Sequence, residues 1–104
     1  MTKIKNYING EYVPPIADGW LDNYNPSTGE IYGKIPNSSK EDIELAYKSA
    51  NVAFDSWSNT PIDERSKILI KIADLLEGNL VRFAEAESRD NGKPISLAIP
   101  NWAL

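Results

Sequence analysis

The chain has 104 residues, enough for one small domain and too few for two. Its make-up, 41% hydrophobic, 25% charged and 10% aromatic, is that of a folded globular protein and not of a disordered tail. With no cysteine, no histidine and a net charge of -4, it has no thiol nucleophile, imidazole base, disulfide or zinc finger, and no basic face for nucleic acid.

The charges are spread evenly: residues 1–38 hold 3 basic and 4 acidic side chains, residues 39–104 hold 8 and 11. Met1-Thr2-Lys3-Ile4-Lys5 opens with the positive charge of an export signal, but polar Asn6, Asn9 and Glu11 stand where its apolar stretch belongs. No apolar run approaches the ~18 residues of a membrane span. These features lead to the expectation of a cytoplasmic protein with neither a membrane nor a nucleic-acid partner.

Before Ser38 lie 4 of the 7 prolines and 4 of the 6 glycines, between short apolar runs, which is the texture of strands and turns. Asn9-Gly10 between Tyr7-Ile8 and Glu11-Tyr12-Val13 predicts a two-residue hairpin, stopped by Pro14-Pro15. Leu21 to Tyr24 predicts another strand, Asn25-Pro26-Ser27-Thr28-Gly29 a tight turn, and Glu30 to Ile35 a half-exposed strand ended by Pro36.

After Ser38 the period becomes helical. Ser38 with Glu41, and Ser39 with Asp42, both have capping-box spacing. Ile43, Ala46, Tyr47, Ala50, Ala53, Phe54 and Trp57 then form one stripe, expected to be core. A second helix is predicted with Thr60 as N-cap, Pro61 in its first position, Leu69, Ile72, Ala73 and Leu76 buried, and Gly78 as left-handed C-cap. A third takes Leu80 to about Ser88, buries Leu80, Phe83 and Ala84, and is closed by Asp90-Asn91-Gly92 before Pro94. Ile95 to Leu104 is an apolar stretch too short to bury itself. The fold class is thus α+β. Residues 1–38 form a β-hairpin and short strands, 39–94 a three-helix segment, and 95–104 a truncated apolar tail, one partial domain in all.

The residues offer little chemistry of their own. No two glycines make the G-x-G of a dinucleotide loop, so they read as turn glycines. The carboxylate pairs Asp42/Glu44, Asp63/Glu64 and Glu85/Glu87 point to different helix faces. Lys93, in a Gly-Pro turn, has nothing near it in sequence to lower its pKa and reads as a surface lysine. No catalytic residue is identified.

Four blocks in one order carry more. Tyr7-Ile8-Asn9-Gly10-Glu11-Tyr12, Asn25-Pro26-Ser27-Thr28-Gly29-Glu30, Ala50-x-x-Ala53-Phe54-x-x-Trp57 and Asp90-Asn91-Gly92-Lys93-Pro94 resemble the N-terminal segment of the aldehyde dehydrogenase superfamily. Arg65-Ser66-x-Ile68-Leu69 and Ala73-Asp74-Leu75-Leu76 are similar to its second helix, and the stretch from Tyr24 to Lys40 looks most like the muconic-semialdehyde branch.

The resemblance implies a parent enzyme, homo-oligomeric, that uses NAD or NADP to oxidise an aldehyde to a carboxylate. In the family a cysteine thiolate attacks the carbonyl, N–H groups hold the oxyanion, hydride passes to the nicotinamide and a glutamate-activated water releases the acid. All those residues lie beyond this chain. It is therefore expected to be an inactive N-terminal fragment with no catalytic or cofactor-binding residue, whose partner is the remainder of the parent enzyme and which binds neither aldehyde nor nicotinamide cofactor alone. The tail departs from the pattern, because Ile99-Pro100-Asn101-Trp102 does not read as the start of the family's long helix. One family site is partly matched: a monovalent cation held by main-chain oxygens and an aspartate, which would fall on Asn23, Tyr24 and Asp90. Read from the residues alone, Asp90 only shapes an Asp-Asn-Gly turn. The alternative to the fragment is a small non-enzymatic helical module that binds a protein through its apolar tail.

Overall fold

A computed structural model describes residues 1–102, with side chains described to residue 100, so the Trp102 side chain and the whole of Leu104 in the expected tail lie outside the described residues. The elements run β1 (Thr2–Lys3), β2 (Asn6–Ile8), β3 (Glu11–Val13), β4 (Trp20–Tyr24), β5 (Ile31–Pro36), α1 (Lys40–Ser58), α2 (Ile62–Gly78), α3 (Leu80–Asn91) and α4 (Ile95–Trp102). They fall into two compact units. The first is Met1–Tyr24 with Ile31–Asn59; the second is Asn25–Glu30 with the chain from Thr60 onward.

In the first unit, β2 and β3 form the predicted hairpin, Ile8 opposite Glu11, with Asn9 at φ 52 and Gly10 at φ 79. Two positive φ values are what a type I′ turn demands, and Asn-Gly supplies them at least cost. Tyr7 and Tyr12 face each other with ring centroids 4.9 Å apart. β4 and β5 pair antiparallel, and β1 adds to β5 in parallel, giving the order β1-β5-β4. The two-residue β1 has no signature of its own in the sequence. It exists because Gly33 is buried against it: a Cβ there would sit 3.0 Å from the Thr2 carbonyl oxygen. β2 lies against α1, and the Asn6 amide donates to Ser38 Oγ at 2.9 Å.

The stripe of α1 is not core in this chain. Tyr47, Phe54 and Trp57 are 68%, 63% and 43% exposed, because no element among the described residues covers them.

In the second unit, three expectations are corrected. Gly78 is an ordinary last residue of α2 and not a left-handed cap; Asn79 at φ -123 ends the helix instead. Its backbone N–H bonds back to Leu76 and its side chain donates to the Leu75 carbonyl at 2.8 Å, so no left-handed residue is needed. At the other end Pro61, not Thr60, is the N-cap, and α2 starts at Ile62. The face of α2 is also exposed at Leu69 and Ile72 and only half-buried at Ala73 and Leu76.

α3 runs to Asn91, three residues past its predicted end, and Gly92 at φ 77 is its left-handed C-cap. Phe83 lies open on it. The expected tail begins as a helix, so the described residues hold four helices and not three. α4 follows Pro94, whose carbonyl accepts from Leu97 and Ala98. Pro100 falls within its eight residues, late enough to cost it a single internal bond. α3 packs on α4, and each contributes one fully buried residue, Ala84 and Ala98. Small side chains let the backbones come close, but they bury little apolar area.

Candidate functional site

The most constrained polar group of the first unit is Asp42, 3% exposed in the first turn of α1. Ser39 caps that helix, and the capping box closes both ways: Asp42 N–H donates to Ser39 Oγ, and Ser39 N–H donates to Asp42 Oδ2 at 2.7 Å. The same carboxylate reaches out of the helix. Its Oδ1 accepts the backbone N–H of Ile16 at 3.0 Å, tying the loop after β3 to the start of α1. The Ser39 N–H first, then that of Ile16, hold the carboxyl below the usual aspartate range, against burial, which pushes it up. The spacing in sequence found the box but not the bond to Ile16, which spans 26 residues and has no local signal.

Asn23 and Tyr24, two of the cation-matching positions, are neighbours at the end of β4. The register against β5 slips between them: Asn23 is opposite Gly33, Tyr24 opposite Ile31. The slip is a bulge, which turns consecutive backbone groups out of the ladder. The Asn23 amide donates to Tyr32 Oη at 2.9 Å. Asp90, the third position, is in the last turn of α3 in the second unit.

In that unit the turn Asn25–Glu30 and the corner after α3 are both tightly bonded. Asn25 Oδ1 accepts from Ser27 N–H at 2.9 Å, Gly29 N–H donates to Asn25 O at 2.8 Å, and Asn25 N–H donates to Glu30 O. Pro26 packs on Gly92 so closely that a Cβ at Gly92 would lie 3.0 Å from Pro26 Cγ. Around the corner, Asn91 Oδ1 accepts Lys93 N–H at 2.8 Å, and Ser88 Oγ donates to Lys93 O at 2.5 Å. It is Asn91, not Asp90, whose side chain accepts the Lys93 N–H at the turn. Lys93 is not a plain surface lysine either: its Nζ is 2.8 Å from Glu87 Oε1 in a half-buried pair. The pair joins two residues six apart, across the end of a helix that was expected to stop earlier.

A nicotinamide dinucleotide needs a cradle of free N–H groups for its pyrophosphate, usually a helix start. No G-x-G turn leads into any of the helices described here. The start of α1 is filled by the chain's own Asp42 carboxylate. α2 opens after Pro61 with no side-chain cap, and α3 begins directly after the end of α2. Arg65 Nε is buried with no hydrogen-bond partner among the described residues.

A model of the aldehyde dehydrogenase family matches residues 12–102. The 2-aminomuconic semialdehyde dehydrogenase of Homo sapiens is 48% identical over 95 residues, 91% of this chain and 19% of that protein. An NAD-dependent aldehyde dehydrogenase from Sinorhizobium meliloti superposes with a TM-score of 0.92 at 30% identity, over 98% of this chain and 21% of its own. A point mutant of betaine aldehyde dehydrogenase from Staphylococcus aureus, solved in complex with NAD+, gives 0.91 at 30% identity, over 95% of this chain and 20% of that one. The chain spans about a fifth of the length of the curated relatives it matches. Among the described residues no helix is long and apolar enough to cross a membrane.

Proposed function

This chain belongs to the aldehyde dehydrogenase family, whose members are enzymes, and we propose that it is the N-terminal part of one that oxidises an aldehyde to a carboxylate with NAD or NADP. By itself it is inactive. The observation that carries this reading is the coverage: the relatives are matched over only the N-terminal ~20% of their chains. Two features support it. The buried hydrophobic residues among those described are Ala84 and Ala98, while faces bearing Phe54, Leu69, Ile72 and Leu75 stay in water. Such faces ordinarily meet further protein. The second is Arg65 Nε, a buried donor still lacking an acceptor, which a further segment could supply.

The chain's part in catalysis is then architectural. Cofactor, thiol and general base are assigned to the remainder of the enzyme, since this chain holds no cysteine and no G-x-G turn. Muconic-type semialdehydes are the substrate class we favour, since the 2-aminomuconic semialdehyde dehydrogenases are 44–48% identical and the acetaldehyde and long-chain-aldehyde enzymes 44%. The helical interaction module has no observation of its own in its favour.

The test has two arms. The chain alone is titrated with NAD and NADP and assayed with several aldehydes; neither binding nor turnover is expected. A chimera is then built in which this chain replaces the 95 matched residues of the human relative. It should assemble and oxidise 2-aminomuconic semialdehyde. Saturable cofactor binding or turnover by the chain alone, or a soluble but unassembled chimera, would overturn the reading.

A further inference from the structure

The dipeptide Asn-Gly occurs twice, at Asn9-Gly10 and at Asn91-Gly92, in surroundings that differ in one chemical respect. We propose that Asn9 is a site of spontaneous deamidation, while Asn91 is protected by its hydrogen bonds. The inference is independent of the family reading.

The chemistry needs no enzyme. The Gly N–H loses its proton and its nitrogen attacks the carbonyl carbon of the Asn amide. A new bond between that nitrogen and that carbon closes a five-membered imide. The bond from the same carbon to the amide NH2 breaks, and that group takes up, through water, the proton the glycine nitrogen lost and leaves as ammonia. Water then opens the imide at either carbonyl, giving aspartate or isoaspartate. Glycine favours the attack because it has no side chain to obstruct its nitrogen and its backbone swings freely.

Both sites are exposed, so exposure does not separate them. Their hydrogen bonds do. At Asn91 both reacting groups are engaged: Gly92 N–H donates to Ser88 O at 2.9 Å as the last bond of α3, and Asn91 Oδ1 accepts Lys93 N–H at 2.8 Å. Either bond must open before nitrogen and carbonyl carbon can meet. At Asn9 neither restraint exists. Its side chain makes no hydrogen bond among the described residues, and the β2–β3 ladder ends at Ile8 and Glu11, leaving Gly10 outside it.

The two products differ in consequence. Aspartate tolerates the left-handed region as asparagine does, so the turn survives with one more negative charge. Isoaspartate routes the main chain through an extra carbon. The two-residue turn no longer closes in register, and the facing of Tyr7 and Tyr12 is lost with it.

The full chain is held at mildly alkaline pH, and peptide mapping by mass spectrometry follows amide-to-acid conversion at each site, with a parallel sample in urea. Asn9 should convert roughly tenfold faster than Asn91 in buffer, since two hydrogen bonds restrain Asn91 and none restrains Asn9. In urea the two rates should converge. The Asn9→Asp variant should leave conversion at Asn91 unchanged and retain the tyrosine contact. Equal rates in buffer, faster conversion at Asn91, or a difference that persists in urea would each overturn the proposal.

Discussion

α1 and α2 are of similar length and begin in opposite ways. α1 is held by side chains: Ser39 and Asp42 satisfy each other's backbone, and Asp42 reaches back to Ile16. α2 has no side-chain cap bond at all, and Pro61 at φ -52 simply delivers the backbone in a conformation that leads into the helix. One start is made by hydrogen bonding, the other by restricting a dihedral. The first ties a helix to a distant loop and responds to pH; the second does neither.

The largest expected effect concerns what neither start can supply. The apolar stripes of both helices are open to water, and leaving even ~400 Å² of such surface unburied forgoes roughly 10 kcal/mol at about 25 cal/mol per Å². That is comparable with the ~5–15 kcal/mol that holds a typical domain together. The chain alone should therefore be helical by far-UV circular dichroism, yet bind a hydrophobic dye and lack a sharp melt. A cooperative transition above ~60 °C from a monomer would contradict this.

Next in size is Asp42→Ala, which strips the acceptor from two backbone N–H groups and one hydroxyl. Amide exchange at Ile16, Ser39 and the first turn of α1 should accelerate together, whereas Thr60→Ala at the start of α2 should leave those amides as they were. Acid should imitate the first substitution. Asp42's folded pKa lies below its unfolded value, so its stabilisation is whole above the unfolded carboxylate value of about 4 and fades as pH falls through the lower folded one. Protection of α1's first turn that faded instead between neutral pH and about 5 would assign the tie to another group.

Smaller again is a position held by conformation in the hairpin. Gly10→Val forces a β-branched residue to φ 79 and should cost about 1–2 kcal/mol, read as a denaturation midpoint in the chimera. The smallest is Pro61→Ser, which gives α2 the side-chain cap it lacks. A gain of about 0.5 kcal/mol in helix stability is expected, visible as a modest rise in ellipticity.

The sequence was legible where structure is local. The Asn-Gly hairpin, the capping box and Gly92 depend on residues within a few positions of one another, and each stands where its spacing placed it. It was less legible where a helix end had several solutions: Gly78 and Thr60 are reasonable caps by spacing, but the Asn79 side chain holds the Leu75 carbonyl, and α2 starts after Pro61 with no side-chain cap. Long-range ties, Asp42 to Ile16 and Gly33 to β1, have no periodic signal. Nor does a helical stripe say whether its cover belongs to the same stretch of sequence, which is why Phe54 and Trp57 read as core and lie exposed. Of the candidate cation positions, only the strand–turn context of Asn23 and Tyr24 was visible, and the bulge between them was not.

Asn79 ends α2 and begins α3 at once: its N–H bonds back to Leu76, and its carbonyl accepts from Phe83. A joint of a single residue leaves no slack for length variation. One residue inserted there would swing α3, and α4 with it, by about 100° and shift them about 1.5 Å relative to α2, breaking the contact between α2 and α3. An extra residue in the exposed loop at Ala17–Asp18, past the Ile16 N–H that Asp42 holds, would disturb no helix phase. Related genes should therefore tolerate insertions and deletions near the second place and almost never at the first, even where substitutions at Asn79 itself are common.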